Sequence, residues 1–175
     1  MIRSILVLSF LAAGCDPSEK IPGYDSHLHC NMEEGCTEWE PEAVAAELLD
    51  FQTRWQVLFD ETPVVPEDIF VGDHFWYGFD IEAPDGCLYE GHADGTTVYV
   101  VGQRPDEDGE WHTIPLWNTT LPHESTHNAL RAKTGNGDPD HAEGTGPWTK
   151  DHDLLIGSMY TADEDIVRYN CPVCY

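Results

Sequence analysis

The sequence predicts one α+β domain with a long N-terminal helix, a small, mainly antiparallel sheet, a second helix and a C-terminal helix. Apolar residues recur at helical spacing after Pro41, and three segments rich in Val, Tyr, Phe and Trp follow. The chain has 175 residues, a length that suits one domain able to bury its own core. We place this domain at residues 26–175.

The first fourteen residues have the composition of a secretion signal. Arg3 precedes an apolar run that is too short to cross a bilayer as a helix. The sequence L-A-A-G-C, which ends at Cys15, resembles a bacterial lipobox. This resemblance implies removal of residues 1–14, acylation of Cys15 and a lipid anchor in the cell envelope, in either the periplasmic or the cell-surface leaflet. The alternative is an ordinary signal peptide.

Residues 15–25 are predicted to form a flexible tether, because they are polar, contain two prolines and a glycine, and lack periodicity. His27 and His29 follow and would share one face of a strand. Gly35 and two nearby cysteines favour a disulfide-pinned loop instead.

The chain is strongly acidic, with a formal net charge of -25 at pH 7. Such a surface repels phosphate groups, so we expect neither nucleic acid nor anionic lipid head groups as partners. Mutual repulsion also favours a soluble monomer. A cation-rich working medium and a preference for basic substrates are the alternative interpretations of the charge.

Five cysteines remain if Cys15 is acylated. Outside the cytoplasm we expect them to form disulfides, but the sequence does not fix the pairing. The last two, in a C-P-V-C segment at the C-terminus, are interpreted as a structural bridge rather than a redox pair. The disulfide candidates are Cys30, Cys36, Cys87, Cys171 and Cys174.

The long helix is predicted to begin at Pro41 and to end before Pro63. Its apolar residues recur at steps of four and three, which places them on one face. Proline is tolerated in the first turn, and Thr37 and Glu40 are placed for capping. The apolar face consists of Val44, Leu48, Phe51, Trp55 and Leu58.

Three strands are predicted at residues 69–80, 96–102 and 111–117, where β-branched and aromatic residues concentrate. The D-E-D-G sequence at residues 106–109 has the composition of a hairpin turn between the last two strands. It lacks the alternating acidic spacing of a calcium-binding loop.

The sequence H-E-S-T-H at residues 123–127 combines residue types and spacing that imply metal chemistry. In a helix, His123 and His127 lie one turn apart on the same face and can bind one ion. Neutral imidazole suits zinc, and Glu124 beside the ion could take a proton from a water that zinc acidifies. Pro122 belongs in the first turn of such a helix, and Gly135 can cap its end.

This H-E-x-x-H motif resembles that of the zincin metallopeptidases. The resemblance implies a minimal zincin-like domain, one catalytic Zn²⁺ and the hydrolysis of peptide bonds. It also implies that an edge strand before the motif helix binds extended substrate, a role we assign to residues 96–102. Leu130 and Lys133 stand where metzincins have Gly and His, which excludes that subfamily.

A catalytic zinc site needs a third protein ligand. After Gly135 the chain is long enough to return His141 to the ion, so His141 is the first candidate. Asp140 and Asp138 are the alternatives, in the manner of aspzincins, and His152 ranks below them. A solvated turn would explain the same residues without a metal.

His152 and Tyr160 are weaker candidates for donating a hydrogen bond to a developing oxyanion. Each is weighed against a role in helix packing or at the surface. A final capped helix is predicted at residues 161–169.

The sequence therefore predicts a lipid-anchored zinc endopeptidase. Two other functions fit it: a non-catalytic lipoprotein with a structural or scavenged zinc, and a metal-free binding module whose motif helix is polar surface. A closed fourth position at the zinc would favour the first alternative. Burial of His123 and His127 in a cleft beside Glu124 would argue against the second.

Overall fold

The computed structural model describes residues 18–31, 39–73, 91–105, 111–114, 116, 120–138 and 146–159. These residues form an α+β fold with three helices and a six-stranded mixed sheet, which confirms the predicted class. The elements are β1 (Ser18–Lys20), β2 (His27–Asn31), α1 (Pro41–Phe59), β3 (Asp68–Asp73), β4 (Gly91–Asp94), β5 (Thr97–Pro105), β6 (Trp111–Thr113), α2 (Leu121–Thr134) and α3 (Lys150–Met159).

Helix α1 confirms the helix predicted to begin at Pro41. Four of its five predicted apolar positions are buried, and Leu58 is 41% exposed. Glu40 occupies the N-cap position, but its side chain makes no capping hydrogen bond. Packing of the apolar face therefore provides most of the stability of this helix.

The sheet is mixed, and the antiparallel pairing that we predicted holds for three of its five strand pairs. Its strand order is β1-β2-β3-β5-β4, with β6 also paired to β5. The central strands β2, β3 and β5 run parallel, whereas β1, β4 and β6 are antiparallel to their neighbours. The prediction is wrong for the centre of the sheet because α1 is a crossover that returns the chain to begin β3 beside β2.

The domain extends further toward the N-terminus than predicted. Strand β1 pairs with β2, and Ile21 is fully buried in the core, so residues 18–25 belong to the domain and not to a tether. His27–Asn31 is a strand and not the predicted loop. Cys30 on this strand is disulfide-bonded, while the other cysteines, including Cys15, lie outside the described residues.

Two hydrophobic clusters hold the helices in place. The first joins the helix-facing side of the sheet to the N-terminal half of α1 and to Leu121 at the start of α2. The second joins the C-terminal half of α1 to α2, α3 and Trp148. Helix α3 was not predicted, and the helix predicted at residues 161–169 lies outside the described residues. None of the described helices is long and apolar enough to span a membrane.

The edge of the sheet nearest α2 is β4. Strand β5 pairs with β3 on one side and with β4 and β6 on the other, so residues 96–102 are interior. Our assignment of those residues as an edge strand is therefore wrong. Helix α2 packs against both β4 and β5, which brings the motif to this end of the sheet.

Candidate functional site

Helix α2 presents the two motif histidines one turn apart. Pro122 stands in its first turn, and Gly135 ends it in a left-handed conformation with φ of 77°, as predicted. The Nε2 atoms of His123 and His127 are 3.0 Å apart, and their ring planes meet at 69°. Both imidazoles therefore direct the same ring atom toward one point.

This arrangement fits a zinc ion. Two imidazole nitrogens bound at the usual zinc distance and at a tetrahedral angle would lie roughly 3.3 Å apart. The observed separation of 3.0 Å is close to that value, so a small rotation of one ring would suffice. The donors are also of the chemical type that zinc accepts.

The backbone of Gly137 fixes the tautomer of His127. Its carbonyl oxygen lies 2.6 Å from Nδ1 of the ring. A carbonyl oxygen only accepts hydrogen bonds, so Nδ1 carries the proton and Nε2 carries the lone pair. Metal-binding histidines in proteins are commonly oriented by a hydrogen bond of this kind.

Glu124 lies against the edge strand β4. Its side chain is 6% exposed, and a Cβ built on Gly91 would lie only 2.6 Å from its Oε1. The close approach of carboxylate and strand therefore requires glycine at position 91. Burial raises the pKa of Glu124 to about 8. A cation held by the adjacent histidines would favour its ionised form.

Trp148 covers the histidine pair. Its ring centroid lies 5.2 Å from that of His123 and 4.7 Å from that of His127, and the residue is 8% exposed. Its backbone N–H donates to Oδ2 of Asp138 at 2.9 Å. One side of the motif is thus closed by a large apolar surface.

The third ligand is not identified among the described residues, which contain no group of three or more His, Cys, Asp or Glu side chains placed to hold a metal. Asp138 is 3% exposed, and its carboxylate accepts the hydrogen bond from Trp148. His141, Asp140 and Tyr160 lie outside the described residues. Their proposed roles stay predictions.

His152 packs beside the second hydrophobic cluster, where its ring lies near those of Trp55 and Trp148, and it is 5% exposed. Its ring stacks on Phe59 with centroids 4.6 Å apart, and its Nδ1 accepts a hydrogen bond from the backbone N–H of Thr149 at 2.9 Å. Burial lowers its pKa. These contacts give His152 a structural role at the start of α3. Its proposed role as an oxyanion donor stays a prediction.

Three positions at the site were missed by the sequence analysis: Gly91, Gly137 and Trp148. Gly91 offered a usable signal, because a glycine inside a strand often marks the close approach of another group. The other two carry no local pattern that relates them to the motif. Their contacts with the histidines exist only in the folded chain.

No family model, curated protein or solved structure matches this chain. The function of the protein is therefore inferred from the chemistry of its own site.

Proposed function

We propose that the protein is a zinc-dependent endopeptidase with a minimal zincin-like domain, lipid-anchored through Cys15 and acting in the cell envelope or outside the cell. One observation carries the proposal. The Nε2 atoms of His123 and His127 converge to 3.0 Å, and the buried carboxylate of Glu124 belongs to the same turn of helix. Zinc would supply a Lewis acid that polarises the peptide carbonyl and acidifies the attacking water.

The side chains of the motif would have separate roles in catalysis. His123 and His127 hold the ion, while Glu124 removes a proton from the attacking water and returns it to the leaving amine. The low-dielectric setting of Glu124 strengthens its interaction with a neighbouring cation. Hydrolysis of the peptide bond consumes one water and leaves one carboxylate and one amine.

His141 stays our first candidate for the third ligand. Gly137 lies against His127, with its carbonyl oxygen 2.6 Å from the ring, and position 141 is only four residues further along the chain. Four residues span at most about 14 Å. This length is enough for the chain after Gly137 to bring His141 to the proposed ion. Asp140 remains an alternative, and Asp138 ranks lower because its carboxylate already accepts the N–H of Trp148.

Strand β4 is the element best placed to bind substrate. It forms the end of the strand order, and its first residue, Gly91, lies against Glu124. An extended peptide that added to this edge would pass the proposed catalytic carboxylate. The net charge of -25 would favour peptides that carry basic residues.

The structure bears differently on the two alternative functions, a metal-free binding module and a lipoprotein with a non-catalytic zinc. His127 is buried beside Glu124, at 8% and 6% exposure, whereas His123 is only half-buried. The burial of these two residues weighs against a motif helix that is only polar surface. A lipoprotein with a non-catalytic zinc remains the alternative that an experiment must separate.

Zinc content and casein hydrolysis, measured on wild type and Glu124→Gln side by side, test the proposal. We expect about one zinc per chain in both proteins and hydrolysis in wild type alone, because the amide cannot accept the water proton. Zinc in both without hydrolysis of casein or of basic peptides would favour the non-catalytic lipoprotein. Absence of zinc from both would overturn the proposal.

A further inference from the structure

A large aromatic ring closes one side of the motif histidines. Trp148 contacts both imidazoles, with centroid distances of 5.2 Å to His123 and 4.7 Å to His127. Neither imidazole can turn toward Trp148 without displacing the indole, because interiors are close-packed. The orientation of both rings therefore depends on where Trp148 is held.

Two hydrogen bonds hold Trp148 in place. Its backbone N–H donates to Oδ2 of Asp138 at 2.9 Å, and its Nε1–H donates to Oδ1 of Asp153 at 2.8 Å. Gly146 allows the first bond, since a Cβ at that position would overlap the Asp138 carboxylate. The tryptophan is thus fixed at its backbone by one acid and at its ring by another.

Asp138 also affects the hydrogen bond between His127 and the Gly137 carbonyl, which is the second contact that orients the ring. It directly follows Gly137, whose carbonyl accepts the Nδ1–H of His127. Asp138 adopts φ of 52°, and its own N–H donates to the side chain of Asn136 at 2.9 Å. The residue that anchors Trp148 thereby also sets the direction of the Gly137 carbonyl.

We propose that Asp138 and Trp148 form a clasp, here meaning these two residues and the hydrogen bond between them, that positions the motif histidines for metal binding. Asp138 acts in this clasp through Trp148 and Gly137 and not as a metal ligand. The inference rests on the proposed zinc site. Groups that hydrogen-bond a metal-binding histidine directly commonly contribute 10- to 100-fold to metal affinity, and Asp138 acts on His127 through one such group, the Gly137 carbonyl.

Two substitutions at one position test the clasp. Asp138→Asn keeps an acceptor for the N–H of Trp148 and is a residue type that tolerates positive φ. Asp138→Gly can adopt the same positive φ but is not held there, because glycine is conformationally free and has no acceptor that ties this turn to the N–H of Trp148. We expect the glycine variant to bind zinc about 10-fold or more weakly than wild type, and the asparagine variant to lose much less.

Competition with a chromogenic chelator measures these affinities on the full chain. The absorption spectrum of the Co²⁺-substituted proteins reports separately whether the ligand geometry has changed. Equal, large losses in both variants would overturn the clasp, because they would indicate a direct ligand role for the carboxylate. Unchanged affinity in Asp138→Gly would overturn it as well.

A metal-free measurement separates failure of the clasp from failure of the proposed function. Nitrogen-15 NMR of the histidine rings reports which nitrogen of His127 carries the proton. We expect the Nδ1–H form in wild type and Asp138→Asn, and a mixture of tautomers in Asp138→Gly. If wild type binds no zinc, the proposed function fails, and an unchanged tautomer in the glycine variant would then reject the clasp on its own.

Discussion

Trp148 lies beside two histidine environments that differ in whether a ring nitrogen can bind a metal. Its ring centroid is 4.7 Å from that of His127 and 5.7 Å from that of His152. Both histidines are less than a tenth exposed. We call the two environments the motif side and the capping side. The motif side consists of His123, Glu124 and His127 on α2, and the capping side consists of Thr149 and His152 at the start of α3.

The two sides differ in what Nδ1 does. On His127 it donates to the carbonyl of Gly137, whereas on His152 it accepts the N–H of Thr149. A neutral His127 therefore turns the lone pair of Nε2 toward His123. A neutral His152 has its only lone pair engaged by the backbone. Burial alone does not identify a ligand, because the backbone partner of the ring decides which nitrogen can bind metal.

Alanine at each histidine gives the strongest test of this comparison. His127→Ala removes a proposed ligand and should weaken zinc binding by more than the roughly 100-fold that marks the upper range for outer partners. His152→Ala should leave zinc affinity unchanged, because its lone pair is already bound. Chelator competition measures both constants, and equal losses in the two variants would contradict the distinction between the sides.

The buried carboxyl of Glu124 should make the free energy of unfolding of the metal-free protein depend on pH. Burial raises the pKa of Glu124 from 4.5 to about 8, so between these values the unfolded chain loses this proton while the folded chain keeps it. Stability contributed by the protonated carboxyl is therefore lost as pH rises toward 8. Glu124→Gln should be more stable than wild type by a few kcal/mol at pH 8, and no more stable near pH 4.

Urea unfolding in the presence of a chelator, at pH 4, 6 and 8, measures this difference. Other titrating groups are common to both proteins and cancel in the comparison. A difference that stayed constant with pH would reject the buried, metal-free carboxyl as its source.

Helices α1 and α2 were predictable from the sequence because their signals are local, whereas α3 was not predicted. Steps of four and three between apolar residues give α1, and Pro122 with Gly135 gives the limits of α2. The parallel centre of the sheet was not predictable, since it depends on which strands meet after the α1 crossover. Strand β2 did alternate polar and apolar residues, but Gly35 and the two nearby cysteines led us to predict a loop.

In the candidate site, too, the features with a local sequence signal were predictable and those that depend on distant contacts were not. Helical spacing alone predicts that His123 and His127 share a face, and the structure has their Nε2 atoms 3.0 Å apart. The partners of these rings come from elsewhere in the chain: Gly137, Trp148 and the edge strand at Gly91. Such partners leave no periodic signal, because packing between distant segments selects them.

Gly91→Ala tests the contact between the motif side and the edge strand. A methyl group there would press on the Thr120 hydroxyl, which is nearest to the Cβ position, and on Glu124, whose Oε1 lies 2.6 Å from it. A misplaced catalytic group of this kind should lower kcat about 10-fold or more while zinc affinity stays near wild type. Gly157→Ala is a matched control, since a Cβ at that helical position meets nothing within 4 Å. Unchanged kcat in Gly91→Ala would show that Glu124 tolerates the displacement.

The smallest expected effect separates the two contributions of the capping side. Helix α3 begins at Lys150, so Thr149 precedes it and His152 is the third helical residue, where Glu or Gln commonly accepts the N-cap N–H. His152→Gln keeps such an acceptor but loses the ring that stacks on Phe59, and His152→Ala loses both. Alanine should therefore cost about 1 kcal/mol more than glutamine in free energy of unfolding.

Thermal or urea unfolding of both variants, in metal-free protein at one pH, measures that difference. Equal stabilities would mean that the hydrogen bond from Thr149 contributes nothing and that the ring contacts with Phe59 and Trp148 alone account for His152. In either case the zinc affinity of both variants should match wild type. A loss of zinc in the alanine variant but not in the glutamine variant would instead couple the cap to the motif through Trp148, and the two sides would then be one unit.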